Sequence, residues 1–355
     1  MAISFSDDNN EIASSLCSSQ RHLVGLFQRP LLSGMVFCLT ETLFFDILTK
    51  NKGIQYMRMK LIVNPLSGGK KVETYLPRIR EILGRDNLLS LAMTKEKNGA
   101  FQEAQKVGRE GYDLIVVCGG DGTLNEVING LVSSNNSIPI GFIPCGTSNI
   151  YALSAGIPLD PIQACEVVLK KYVRKIDLGK VGTGNSLRYF VSMAGIGYDA
   201  SVIQSLKPNL VSTLGGIPAH LVAGVSELIK YQGTELSIKL DGSSCRGFQA
   251  IICNGSFYGI SSIIAPQADM ADGYLDVILF KNGKRRDILR YVLGILRERH
   301  LYFKDVEYTR AKKIEIDAPD EVWIQVDGEI MGTLPQTFEV HPQAIQVILP
   351  ETKFA

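Results

Sequence analysis

Three short stretches of this 355-residue chain carry side chains that could handle a phosphate, a divalent cation and a proton. The first is Gly119-Gly120-Asp121-Gly122-Thr123. Glycines let backbone N–H groups come close to a phosphate. A carboxylate among phosphates is repelled unless a cation lies between them, so Asp121 predicts Mg²⁺. The second is Asp269-Met270-Ala271-Asp272-Gly273-Tyr274. Its turn places two carboxylates close together, again a setting that favours Mg²⁺. The third is Gln325-Val326-Asp327-Gly328-Glu329. Taken alone, its Asp-Gly pair signals no more than a hairpin.

The elements around the first stretch are readable. Leu114 to Cys118 is a continuous apolar run, as expected of a strand buried on both faces of a parallel sheet. Apolar residues at 124, 127, 128 and 131 then recur at helix spacing. Strand, glycine turn and helix follow without a spacer, so the positive end of the helix dipole points at the turn. Upstream, Met59–Val63 reads as a strand, Asn64-Pro65-Leu66-Ser67-Gly68-Gly69-Lys70 as a loop, and 73–83 as a helix. The loop is not a Walker A motif: the pattern's first glycine would fall on Asn64, and Lys71 replaces the Ser/Thr. A strand at 88–93, a helix at 100–110, a strand at 138–143 and helices at 150–155 and 160–171 complete the alternation, which implies a parallel sheet. Thr147 follows the 138–143 strand at an expected helix start, where its hydroxyl and N–H would suit a phosphate.

Near residues 175–181 the texture changes. Strands are expected at 187–193, 236–240, 248–254, 275–280, 313–316, 322–326 and 338–340, with helices at 218–231 and 286–302. This pattern predicts a mostly antiparallel β-sandwich. Gly195-Ile196-Gly197-Tyr198-Asp199-Ala200 fits a dinucleotide fingerprint in letters only, because it lies in the β-rich half without the ribose-binding acid.

Gly119 to Val127 resembles the nucleotide-binding signature of the diacylglycerol kinase catalytic family, which includes bacterial lipid kinases and sphingosine kinases. NAD kinases and phosphofructokinases carry similar glycine turns, and the Asn125-Glu126-Val127 continuation favours the lipid kinases. The resemblance spans about residues 57–350. It implies a nucleotide site at Asn64, Thr94, Gly119, Gly120, Asp121, Gly122, Thr123, Asn125, Glu126 and Thr147. It implies a Mg²⁺ held at Asp272, with Asp269 and the Tyr274 carbonyl beside it. Glu329 becomes the proton acceptor and Asp327 its partner. The family usually has Asp where this chain has Ile150, so any role of that carboxylate is absent. The implied activity is ATP-dependent phosphorylation of a lipid hydroxyl, diacylglycerol foremost. The alternatives are a NAD kinase-type phosphotransferase and an inactive lipid- or nucleotide-binding module.

The expected layout is an extension over 1–56, an α/β nucleotide-binding domain over 57–178, and a β-rich lipid domain over 179–343. The tail 344–355 is expected to return to the first domain, as in the family. Leu31–Leu48 is apolar, but Glu41 and Asp46 interrupt it and no basic leader precedes it, which argues against a spanning or signal segment and leaves a loosely ordered extension, one docked on the body, or an interfacial helix. A 45% hydrophobic, 21% charged composition suits a soluble protein with a sizeable core. A net charge of +1 argues against nucleic acid as partner. Seven cysteines without a Cys-x-x-Cys pair read as buried hydrophobes of a reducing cytosol. The basic amphipathic stretch 285–304 would suit peripheral contact with anionic lipid. The sequence leaves a homodimer open.

Overall fold

The computed structural model describes residues 56–69, 71–182, 186–206, 216–259 and 262–351. The expected extension over 1–56, with its apolar Leu31–Leu48 stretch, lies outside them except for Tyr56. The first half alternates as the sequence predicts: β1 (Met57–Val63), α1 (Lys71–Gly84), β2 (Asn87–Met93), α2 (Gly99–Glu110), β3 (Leu114–Gly119), α3 (Asp121–Ser133), β4 (Ile140–Pro144), α4 (Ile150–Ala155) and α5 (Pro161–Lys170). The strands lie parallel in the order β2-β1-β3-β4. All of β3 and β4 is buried, which is why both read as unbroken apolar runs. The order reverses between β1 and β3. In an open parallel sheet the crevice beyond the strand ends at such a reversal is the ligand site.

β5 (Val173–Val181) leads into the second half, which contains β6 (Arg188–Phe190), β7 (Met193–Ile196), α6 (Tyr198–Ser205), α7 (Gly216–Lys230), β8 (Leu236–Leu240), β9 (Ser243–Gly247), β10 (Gln249–Cys253), β11 (Phe257–Tyr258), β12 (Ser262–Ile263), β13 (Leu275–Phe280), α8 (Arg285–Leu296), β14 (Val306–Ala311), β15 (Lys313–Asp317), β16 (Trp323–Val326), β17 (Glu329–Thr333) and β18 (Gln336–Ile348). One antiparallel sheet runs β14-β13-β10-β7-β16-β17. It packs against β15, β8 and β18 through a core of Phe190, Ile252, Ile314, Ile324 and Phe338, making an antiparallel β-sandwich. α8 covers the other face through Tyr291 and Ile295.

The last strand joins the halves. β18 pairs with β15 over Gln336–Glu339 and with β5 on both sides of a break between His341 and Ile345. At Val347 it also lies parallel to Ile140 of β4. The sandwich is thereby joined to the edge of the parallel sheet at the start of β4.

Candidate active site

β3 runs into α3 without a loop. Gly120 is the extended N-cap, and Asp121, Gly122 and Thr123 form the first helical turn. The turn packs backbone to backbone on a second one, since a Cβ on Gly146 would stand 2.6 Å from the Gly120 Cα. A side chain at Gly146 would force the two backbones apart, and one at Gly120 would stand 3.1 Å from the Gly146 Cα. The end of β1 closes the crevice from the opposite side: Asn64 donates its Nδ2 to Thr123 Oγ1 at 3.1 Å and its backbone N–H to the Cys118 carbonyl. Thr94, at the end of β2, donates its N–H to Val63 O at 2.8 Å. Asn64, Thr94, Gly119, Gly120 and Thr147 therefore lie just beyond the carboxyl ends of four parallel strands, around the point where strand order reverses.

Asp121 has a second function that its sequence did not reveal. Its two carboxylate oxygens accept the N–H groups of Ile150 and Tyr151, each at 3.0 Å. Those are the first two residues of α4, so Asp121 caps a helix 29 residues downstream. Burial pushes its carboxyl up, and the backbone donors oppose that shift. The expectation that Thr147 stands at the helix start is corrected here. Asn149 is the N-cap, in a left-handed conformation, and Thr147 sits exposed in the preceding loop. The N–H groups at the start of α4 already have a carboxylate.

Asp121→Asn is expected to fold but to melt a few degrees lower, because an amide retains only one acceptor oxygen for two donors, a loss of about 1 kcal/mol. Mg²⁺-dependent turnover is expected to vanish, far beyond what that loss explains. Wild-type turnover in the variant would leave Asp121 as a helix cap only.

Glu126 is also a cap. Its carboxylate accepts the N–H groups of Asn98 and Ala100 at 3.0 and 3.1 Å, fixing the start of α2. Nothing in the geometry turns it towards the glycine turn.

The Asp327–Glu329 turn reaches the first turns of α3 through a continuous chain of hydrogen bonds. Asp327 sits at φ 46° and accepts N–H groups from Val191, Ser192 and Met193, all at 2.9 Å. The fourth donor to its carboxylate is Asn125 Nδ2, at 2.8 Å. Asn125 Oδ1 accepts from Arg188, whose same nitrogen binds Glu329 Oε2 at 2.6 Å. Lys97, from the loop before α2, lies 3.4 Å from Glu329 Oε1. Arg188 Nε has no protein partner. Glu329 is thus about one-third exposed and held between two cations, one from each half of the molecule. Burial pushes the Asp327 carboxyl up. Four donors and no acceptor for a proton nevertheless favour its ionised form. Arg188 and Lys97 escape sequence reading because neither sits in a motif.

A second network sets the same turn from behind. Gln325 accepts the Gly328 N–H at 2.8 Å and donates to Asp199 Oδ2 at 2.7 Å. Tyr258 donates to the other oxygen of Asp199. This explains the Gly195-to-Ala200 stretch as structural. A Cβ on Gly195 would lie 1.8 Å from Asp199 Oδ2 and 2.7 Å from Gln325 Nε2. Gly195→Ala should cost at least ~1–3 kcal/mol by overpacking and shift the Asp327–Glu329 turn. Gly122→Ala is the contrast, with nothing within 4 Å of its Cβ. Urea midpoints of the two variants separate them, and a Gly195→Ala midpoint at the wild-type value would dismiss the second network.

The expected cation site at Asp269, Asp272 and Tyr274 is arranged differently. Asp269 is exposed and accepts the Ala271 N–H at 3.0 Å, closing its own turn. Asp272 pairs with Arg310 at 2.9 Å, and that guanidinium also lies 5.3 Å over the Tyr274 ring. Among the described residues no three His, Cys, Asp or Glu side chains converge as a metal cage. The residues as placed do not fit a Mg²⁺ ion, since an arginine supplies the positive charge there. A cavity of about 810 Å³ around Lys239 and Glu315 shares no lining residue with the site.

A reversed parallel sheet with a glycine turn, joined to a sandwich whose Asp327–Glu329 turn is hydrogen-bonded to the helix that turn begins, is the frame of a two-domain phosphotransferase. The diacylglycerol kinase catalytic domain model matches residues 58–181, and the YegS C-terminal NAD kinase beta sandwich-like domain model matches residues 192–349. A diacylglycerol kinase of Bacillus subtilis (strain 168) is 29% identical over 302 residues, covering 83% of this chain and 97% of that protein. One from Staphylococcus aureus (strain bovine RF122 / ET3-1) is 31% identical over 297 residues, covering 82% and 92%. The crystal structure of a diacylglycerol kinase from Bacillus anthracis str. Sterne matches with a TM-score of 0.69 at 25% identity, over 84% of this chain and 98% of that one. The chain belongs to the diacylglycerol kinase catalytic-domain family, a family of lipid kinases.

Proposed function

We propose that the protein transfers the γ-phosphoryl group of ATP to a lipid hydroxyl, with diacylglycerol as the first acceptor to test. The observation that carries this reading is the hydrogen-bonded chain Asp327–Asn125–Arg188–Glu329. It fixes a carboxylate of the sandwich beside the helix whose first turn is the glycine turn. MgATP is the co-substrate, and its Mg²⁺ would neutralise phosphate charge. In this reading the phosphates lie in the crevice between the Asn64 loop and Gly119–Thr123, with Thr94 and Thr147 at its rim. In this reading Asp121, anchored by the N–H groups of Ile150 and Tyr151, orients the hydrated cation through its remaining lone pairs. Arg188 and Lys97 would meet the charge on the transferred group. The lipid oxygen attacks γ-phosphorus, the bond to the bridging β–γ oxygen breaks, ADP leaves, and the hydroxyl proton passes to Glu329.

Among the described residues no helix is long and apolar enough to cross a membrane. The lipid acceptor would therefore be taken from a bilayer surface. An acceptor panel of diacylglycerol, a sphingoid base, phosphatidylglycerol, a polyprenol and NAD tests the proposal. Phosphorylation of NAD alone would make the protein a NAD kinase-type enzyme, and ATP binding without any transfer would make it a binding module.

A further inference from the structure

Each carboxylate oxygen of Glu329 is covered by a cation, and the two cations are held very differently. Arg188 Nη2 lies 2.6 Å from Glu329 Oε2 and also donates to Asn125 Oδ1 at 2.9 Å, which locks it into the hub around Asp327. Lys97 Nζ lies 3.4 Å from Glu329 Oε1, and its side chain is 71% exposed. Among the described residues Glu329 is its one ion-pair partner. An exposed pair of this kind adds little stability, so Lys97 can leave where Arg188 is held.

The backbone on either side of Lys97 is pinned. Thr94 donates its N–H to Val63 O at 2.8 Å, and the Asn98 and Ala100 N–H groups bind the Glu126 carboxylate of α3. Gly99 folds back on the start of the loop, where its Cβ would stand 3.3 Å from the Thr94 Cβ. Movement here is therefore left to the Lys97 side chain, a compact charge on a long flexible stem. The proposed reaction fixes what else lies near. A proton acceptor stands about 3 Å from the attacking hydroxyl, and that oxygen about 3–3.5 Å from the γ-phosphorus. A cation seated on Glu329 is thus one side-chain swing from the γ-phosphate.

We propose that Lys97 is a nucleotide-operated latch on Glu329. Without ATP it covers Oε1; the γ-phosphate of bound ATP draws it off and leaves that oxygen to the acceptor hydroxyl. The inference rests on the kinase reading and adds to it a positioning residue and an order of events. A terminal phosphate carries more charge than a carboxylate and presents several strong acceptor oxygens, so it outcompetes one exposed carboxylate oxygen for the ammonium. ATP must then be in place before the lipid oxygen gives up its proton. ADP has no γ-phosphate, so the latch closes again after transfer. Arg188 holds Glu329 in position throughout, by way of Asn125.

Carbodiimide crosslinking of the full chain reads the latch without measuring catalysis. The reagent activates a carboxylate, a neighbouring amine displaces it as the urea, and the amide that forms marks the ion pair with net loss of one water. Peptide mapping of the free protein should show a Lys97–Glu329 amide, which Glu329→Gln abolishes. A nonhydrolysable ATP analogue with Mg²⁺ should reduce that product roughly tenfold or more, and MgADP should leave it unchanged. The Lys281–Glu307 pair, 2.6 Å apart at the opposite edge of the sheet from β17, is the internal control and should crosslink equally in every state. Calorimetry on Lys97→Met supplies a second readout. The variant should bind the ATP analogue roughly tenfold more weakly and ADP as wild type does, at an unchanged melting temperature. A free protein without the amide overturns the latch. So does a product that responds equally to both nucleotides, or to neither, while calorimetry shows both bound; the kinase reading then stands without it. Equal affinities of Lys97→Met and wild type for the analogue also overturn it. If neither nucleotide binds, the kinase reading itself fails and the latch with it.

Discussion

Asp327→Asn is expected to cost about 3 kcal/mol of stability and to reduce turnover to background. Four N–H groups converge on this carboxylate. An amide keeps one acceptor oxygen and puts its own N–H groups where the other was, so two buried donors lose their partner, at ~1–3 kcal/mol each. The damage spreads because Asn125, one of the four donors, also holds Arg188, and Arg188 holds Glu329. A lowered denaturant midpoint together with lost kcat is the expected pair. A variant as stable as wild type would mean that Asp327 is held protonated, and the ionised hub described above would be wrong.

Glu329→Gln should behave differently. The side chain is about one-third exposed, so stability should hardly change. A positioned carboxylate base is worth ~10²–10⁴-fold, and a loose transition state with late proton removal places the loss nearer the lower end. The amide oxygen can still accept from Arg188, so geometry survives while basicity does not. kcat should fall at least ~100-fold with ATP-analogue affinity unchanged by calorimetry. Unchanged kcat would exclude Glu329 as the proton acceptor. Lost ATP binding would make the Arg188–Glu329 pair part of the nucleotide site.

The contrast between these variants bears on what the sequence could and could not reveal. β3 and β4 were legible because strands buried on both faces leave no polar interruption. The glycine turn is legible because Gly120 packs backbone to backbone on Gly146, an approach that favours glycine. The sequence pattern predicts only residues 338–340 of β18, yet it is a strand of 13. Its pairing breaks near Gln343, which takes φ 48°, and the interruption hides the continuity. β5, β9, β14 and β17 went unrecognised because half-exposed strands carry mixed side chains.

At the site, local chemistry identified Asp121, Asp327 and Glu329, but their partners lie 29 to 202 residues away. Arg188 and Lys97 are ordinary basic residues until the fold brings them to Glu329. Arg310 likewise shows its role only once β14 sets it against Asp272. Acidic spacing at 269–272 suggested a cation, and the cation beside Asp272 turns out to be a guanidinium from another strand.

Transfer of label from γ-³²P-ATP into an extractable lipid, by wild type and Glu329→Gln in parallel, is the decisive measurement. Label should enter diacylglycerol or another lipid of the panel as a phosphomonoester. The initial rate should drop at least ~100-fold in the variant. Label that reaches only NAD or water, or a variant as fast as wild type, would contradict a lipid kinase that uses Glu329 as its base.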